Sequence, residues 1–219
     1  MKKFLNVMAV SLILAATFVS KAFAESTFHI GAYAPFSSVT TDDEYQNEFK
    51  ISESGLGFTF DFTHVAESGF TVAPELSIGY LSAKSDWIPT LADKVMDGMD
   101  IEWSVGLGGS FIHNEKTTFS WLGKLGHRIQ YCDIAENIGT VNEINGSLFV
   151  LWWSVGTEFA YTHRFTERFG FFINVAFFCN IGVTIYEADD VRYNTYDMMS
   201  DGVGAALTVQ PKAGISITL

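Results

Sequence analysis

The sequence predicts an all-β fold, an eight-stranded antiparallel up-and-down transmembrane β-barrel. Three observations predict it. Large apolar residues recur at every second position, as in Leu56-Gly57-Phe58-Thr59-Phe60-Asp61-Phe62, Ile101-Glu102-Trp103-Ser104-Val105-Gly106-Leu107 and Ala213-Gly214-Ile215-Ser216-Ile217-Thr218-Leu219. A period of two marks strands with one apolar and one polar face. The second observation is that the polar phase is mostly Gly, Ser and Thr, which suits a narrow lumen. The third is that short and long connections alternate along the chain, as they do in up-and-down membrane barrels.

The elements follow in order. Lys2 and Lys3, an apolar run from about Val7 to Val19, and Ala22-Phe23-Ala24 form the three parts of a cleaved signal peptide over residues 1–24. Glu25 then begins the mature chain, and residues 25–219 suit one barrel domain. Without that segment's three lysines the chain carries 25 acidic against 10 basic side chains. A net charge of −15 on that count excludes nucleic acid as a partner, because phosphates require a basic surface. Strands are expected over 27–36, 54–64, 70–81, 101–112, 118–131, 147–162, 169–186 and 202–219. Short turns fall at 65–69, 113–117 and 163–168, and long loops at 37–53, 82–100, 132–146 and 187–201. The long loops hold 17 of the 25 acids, Glu53 and Asp100 among them, so the charge gathers at one end. Pro74 and Pro211 cannot donate to a ladder, so a bulge or a broken hydrogen bond is expected at each, with a possible shift of register beyond it.

The two faces are told apart by volume. A soluble lipocalin-like barrel has the same period with its apolar face inward. Here that face carries Phe58, Phe60, Phe62, Trp103, Trp121, Trp153 and many more, which would overfill an eight-stranded lumen. Turned around, the large residues face lipid. The outward aromatics form two bands. Phe28, Phe62, Phe70, Phe111, Phe119, Tyr161 and Phe169 lie near the short turns, and Phe36, Tyr80, Trp103, Tyr131 and Trp153 near the long loops. Such bands are the girdles of the two membrane interfaces. His29, His64, His113 and His163 fall at the short-turn end and read as interfacial polar residues rather than metal ligands.

The inward phase holds a charge network of Asp61, Glu75, Glu102, Lys124, Arg128, Glu158 and Lys212, four acids against three bases. A hairpin centred on Glu115 sets Glu102 opposite Arg128 and Phe111 opposite Phe119. Lys124 and Glu158 lie at similar heights, and Lys212 must reach across the lumen to Asp61 or Glu75. These charges read as an ion-pair plug rather than catalytic groups, because no nucleophile accompanies them. Phe172, Phe178 and Trp152 point inward and fill part of the lumen, while Gly182, Gly204 and Gly214 leave room. Cys132 and Cys179 sit two strands apart and are expected to be unpaired.

The signal peptide, eight alternating strands, loop asymmetry and charged lumen together resemble the small eight-stranded outer-membrane barrels of the OmpX and OmpA-transmembrane type, with OmpW as a cousin. The resemblance covers the whole mature chain and is architectural. It departs at the end, where family barrels close on an aromatic residue and this chain closes on Leu219. Size and texture are also similar to small barrel proteins of spirochaetes such as treponemes. The resemblance implies a bacterial outer-membrane protein with extracellular long loops and periplasmic turns. Its partners are outer-membrane lipid and host or extracellular molecules met by the acidic loops. No enzyme, cofactor or metal is expected, and Asp93, Asp97 and Asp100 lack EF-hand spacing. The leading functional expectation is a plugged structural or surface-interaction barrel. The alternative is a narrow channel or OmpW-like carrier for ions or small hydrophobic solutes.

Overall fold

The computed structural model describes residues 25–42, 48–85, 95–136, 144–190, 195–196 and 200–219. The proposed signal peptide and the loop acids Asp43, Glu44, Asp86, Asp93, Glu143 and Asp197 lie outside the described residues. The strands are β1 (Glu25–Tyr33), β2 (Phe36–Asp42), β3 (Glu48–Val65), β4 (Phe70–Ser85), β5 (Val95–His113), β6 (Thr117–Glu136), β7 (Ile144–Arg164), β8 (Phe169–Asp190), the two-residue β9 (Thr195–Tyr196) and β10 (Ser200–Thr218). Every pairing is antiparallel, and β10 closes the sheet by joining β8 to β1 and β2. Strands β1 and β2 share one register with β3 and with β10, so they are one wall strand interrupted at Ala34-Pro35. The molecule is an eight-stranded up-and-down transmembrane β-barrel.

Burial alternates as the volume argument requires. On β3, Leu56, Phe58 and Phe60 are exposed while Thr59 and Asp61 are buried. On β6, Trp121, Leu125 and Tyr131 are exposed while Leu122, Lys124, Arg128 and Gln130 are buried. The polar phase is thus the lumen and the apolar phase the outer wall. The short turns close with local chemistry. Gly69 adopts φ 83°, a left-handed conformation open to glycine, and donates its N–H to Ala66 at 2.8 Å. Asn114 Oδ1 accepts from the amides of Lys116 and Thr117 at 3.0 and 2.9 Å, and Thr166 Oγ1 accepts from Phe169 at 3.0 Å.

Three expectations are corrected. The strands run further toward the long loops: β7 and β8 have 21 and 22 residues, about twice the 9–11 that cross a bilayer. Above the membrane neither face must be apolar, so the period of two fades there and gives no signal for the extension. The register does not shift at either proline. Opposite Pro74 the β3–β4 ladder skips Phe62 and Thr63 and resumes unchanged at His64↔Val72. Pro211 pairs in register with Val175 and faces the Ala34-Pro35 break, where its carbonyl accepts from Ala34 N at 3.0 Å. The shift lies instead between Ser110 and Ile112, where Phe111 bulges out of the β5–β6 ladder. The β5–β6 pairs up to Ser110↔Ser120 fit a hairpin centred on Glu115, but Phe119 faces Ile112, not Phe111. Phe111 and Ile112 therefore both face outward, and the Phe111 and Phe119 rings still meet at 6.5 Å.

Candidate functional site

The lumen is the site the sequence singles out, and strand parity places its charges. All seven residues of the expected network are buried, each at most 6% exposed. They are distributed over layers along the barrel axis.

The middle layer joins four walls. Lys212 Nζ donates to both oxygens of Glu75 at 2.6 Å and to Glu158 Oε2 at 2.7 Å. Lys124 Nζ donates to Glu75 Oε2 at 2.6 Å and to Glu158 at 3.3 Å. Ser77 and Thr59 hydroxyls add bonds to Glu75 at 3.0 and 3.3 Å, and Asn174 Nδ2 donates to Glu158 at 3.3 Å. Two ammonium groups between two carboxylates, with hydroxyls and an amide on the remaining lone pairs, meet the condition under which buried ion pairs are tolerated.

The layer toward the long loops is built on Arg128. Its Nε donates to Asp100 Oδ1 at 2.7 Å, and Nη1 donates to Ser37 at 2.9 Å and to Glu53 at 3.3 Å. Gln130 Nε2 donates to Glu53 at 2.9 Å and Gln130 Oε1 accepts from Trp152 Nε1 at 2.5 Å, while Tyr33 OH donates to Asp100 at 3.1 Å. This corrects the expected ion pair. Glu102 is the Cα partner of Arg128, yet its carboxylate accepts from Gln210 Nε2 at 2.7 Å instead. Glu53 and Asp100, expected in loops, lie on β3 and β5 and supply the carboxylates. The reason is direction: side chains at paired positions lie side by side on the wall, whereas a long guanidinium points along the lumen and meets carboxylates two residues up. Extending the inward parity of β3 and β5 past the expected strand ends would have found both, since Glu53 shares the phase of Asp61, and Asp100 that of Glu102.

Toward the short turns, Asp61 Oδ1 bonds to His29 Nδ1 at 2.7 Å and accepts from Thr63 at 2.9 Å, and His29 Nε2 lies 3.1 Å from Thr162 Oγ1. Phe172 closes over His29, ring centroids 4.7 Å apart. His29 is thus a buried lumen residue, not an interfacial one, whereas His64 keeps the outward phase of β3, its ring 6.4 Å from that of Phe62, and bonds to Ser26 Oγ at 2.8 Å. Below them Arg164 pairs with Glu25 at 2.6 Å.

Apolar bulk fills the gaps between layers. Trp152 lies flat against glycines: a Cβ built on Gly182 would stand 2.4 Å from its ring, and one on Gly204 3.1 Å. Phe172 occupies the space over Gly31 and Gly214. Gly182, Gly204 and Gly214, expected to leave room in the lumen, make room for rings instead. Among the described residues no cluster of three or more His, Cys, Asp or Glu could hold a metal ion.

No protein-family model and no curated protein matches this sequence. Among solved structures, the outer membrane protein OprG from Pseudomonas aeruginosa superposes with a TM-score of 0.67 at 11% identity, over 90% of this chain and 97% of that one. The fold is that of an outer-membrane β-barrel. Looser superpositions link this barrel to the outer membrane protease OmpT from Escherichia coli, at 7% identity over 89% and 97% of the two chains with a TM-score of 0.41. Ail, the attachment invasion locus protein of Yersinia pestis, superposes at 15% identity over 89% and 99% with a TM-score of 0.33.

Proposed function

We propose that this chain is an integral protein of the bacterial outer membrane, with long loops outside and short turns in the periplasm. In this reading its lumen is plugged by its own side chains, and its role is surface interaction carried by the acidic loop end. The observation that carries the reading is the middle layer, where Lys124 and Lys212 reach across to Glu75 and Glu158 with every one of these side chains at most 2% exposed. The acids of the loop end support the second half. Asp97 faces Asp133 as a direct cross-strand partner. Like charges so placed cost stability, so they serve something other than the fold. Reconstitution into planar bilayers tests the plug. The expected record shows no resolved conductance steps, and steady, well-resolved channels would overturn the reading in favour of a narrow transporter.

A further inference from the structure

We propose that the outer wall of β5 to β7 carries a docking groove for one acyl chain of an ester-linked membrane lipid, with the ester carbonyl held at His127 between the rings of Trp103 and Trp153. Two rows of side chains build it. Trp103, His127 and Trp153 are successive cross-strand partners, and Val105, Leu125 and Val155 form the next outward row, two residues nearer the short turns on each strand. Together with their neighbours they line a groove of about 550 Å³ on the outward face, a volume within the roughly 300–1,000 Å³ of small-molecule sites.

The polar groups of this groove lack partners. His127 lies between Trp103 and Trp153, ring centroids at 5.1 and 6.3 Å, and among the described residues neither ring nitrogen has a hydrogen bond. Trp103 Nε1 is shielded from solvent and likewise has no acceptor. An indole nitrogen is a donor only, and an imidazole always carries at least one N–H. A polar group facing hydrocarbon without a partner is costly. The one donor the wall leaves open toward the membrane, on His127, therefore asks for an acceptor. Its place along the wall names the source. His127 stands in the aromatic row nearer the long loops, at interface depth, and the aliphatic floor lies directly beneath, toward the bilayer centre. That is the order of an ester and its chain within one leaflet. The inference depends on the wall facing lipid and not on the plug, so a conducting barrel leaves it intact.

Native mass spectrometry of the full barrel in detergent tests it. The probes are palmitoyl-oleoyl phosphatidylethanolamine and its diether analogue, which keeps chains and headgroup but lacks the ester carbonyls. One diester lipid should be retained roughly five- to tenfold better than the diether, the range one hydrogen bond supplies. H127L should bring the diester down to the diether level. V155W, which fills the groove, should release both lipids, and L207A on the outer wall of β10 should change nothing. Equal retention of the two lipids, wild-type behaviour of H127L, no retained lipid, or a two-chain complex without lipid would each overturn the proposal. Should H127L fail to fold, the lipid pair on the wild type and V155W still decide.

Discussion

Arg128 shows how a single lumen residue works. It is 1% exposed and bonds to side chains on three other strands, Ser37, Glu53 and Asp100. Removing it leaves two carboxylates buried without their cation. Arg128→Ala is therefore expected to lower stability by about 3–5 kcal/mol, the usual cost of breaking a buried pair. Chemical unfolding in detergent checks this, and an unchanged midpoint would show that the guanidinium is not what neutralises Glu53 and Asp100. Glu102→Gln is expected to be far milder, because Glu102 bonds to the neutral Gln210 amide and not to Arg128. The same unfolding experiment ranks the two, and equal losses would restore the Glu102–Arg128 pair.

At the level of the strands, walls fit each other through ring-on-glycine contacts. Trp152 of β7 lies against Gly182 of β8 and Gly204 of β10, and Phe172 of β8 lies against Gly31 of β1 and Gly214 of β10. Each pair substitutes bulk from one strand for bulk missing on another, so the volumes are coupled. Trp152→Ala should cost about 3–5 kcal/mol by leaving a cavity. Gly204→Leu should cost about 1–3 kcal/mol or more by overpacking against the ring. The double variant should lose markedly less than the sum, since the leucine enters the space the indole vacated. Additive losses in the double-mutant cycle would show that the two positions do not share that space. The Ala34-Pro35 break shows a second kind of fit: the wall loses ladder bonds where Pro211 stands opposite, so the prolines meet where donors are not needed.

For the whole molecule the decisive property is which face is outside. Cys179 lies on the outward face of β8 and is exposed, whereas Cys132 on β6 is buried at 2%. In vesicles, a lipid-soluble maleimide should label Cys179 and spare Cys132, and a water-soluble maleimide should label neither. Labelling of Cys132 in preference to Cys179 would mean the faces are reversed. The distribution of acids belongs to the same scale. Glu53 and Asp100 face the lumen, so the charge of the loop end is smaller, and that of the lumen more acidic, than loop boundaries drawn from periodicity imply.

The sequence by itself determined the barrel, its strand number and the side that faces lipid, because a period of two combined with unequal side-chain volumes admits one solution in a bilayer. It also determined that seven charges point inward, since parity is a local property. Only the tertiary structure decided their partners. Arg128 passes over its paired neighbour Glu102 to reach Asp100 and Glu53, and Lys212 bridges to Glu75 and Glu158 across the lumen. Long flexible side chains choose among acceptors by distance through the lumen, which no spacing along one strand records. The Phe111 bulge and the upward extension of the strands were equally hidden. The bulge depends on how two strands meet at a turn, and above the membrane the alternation that marks a strand loses its cause.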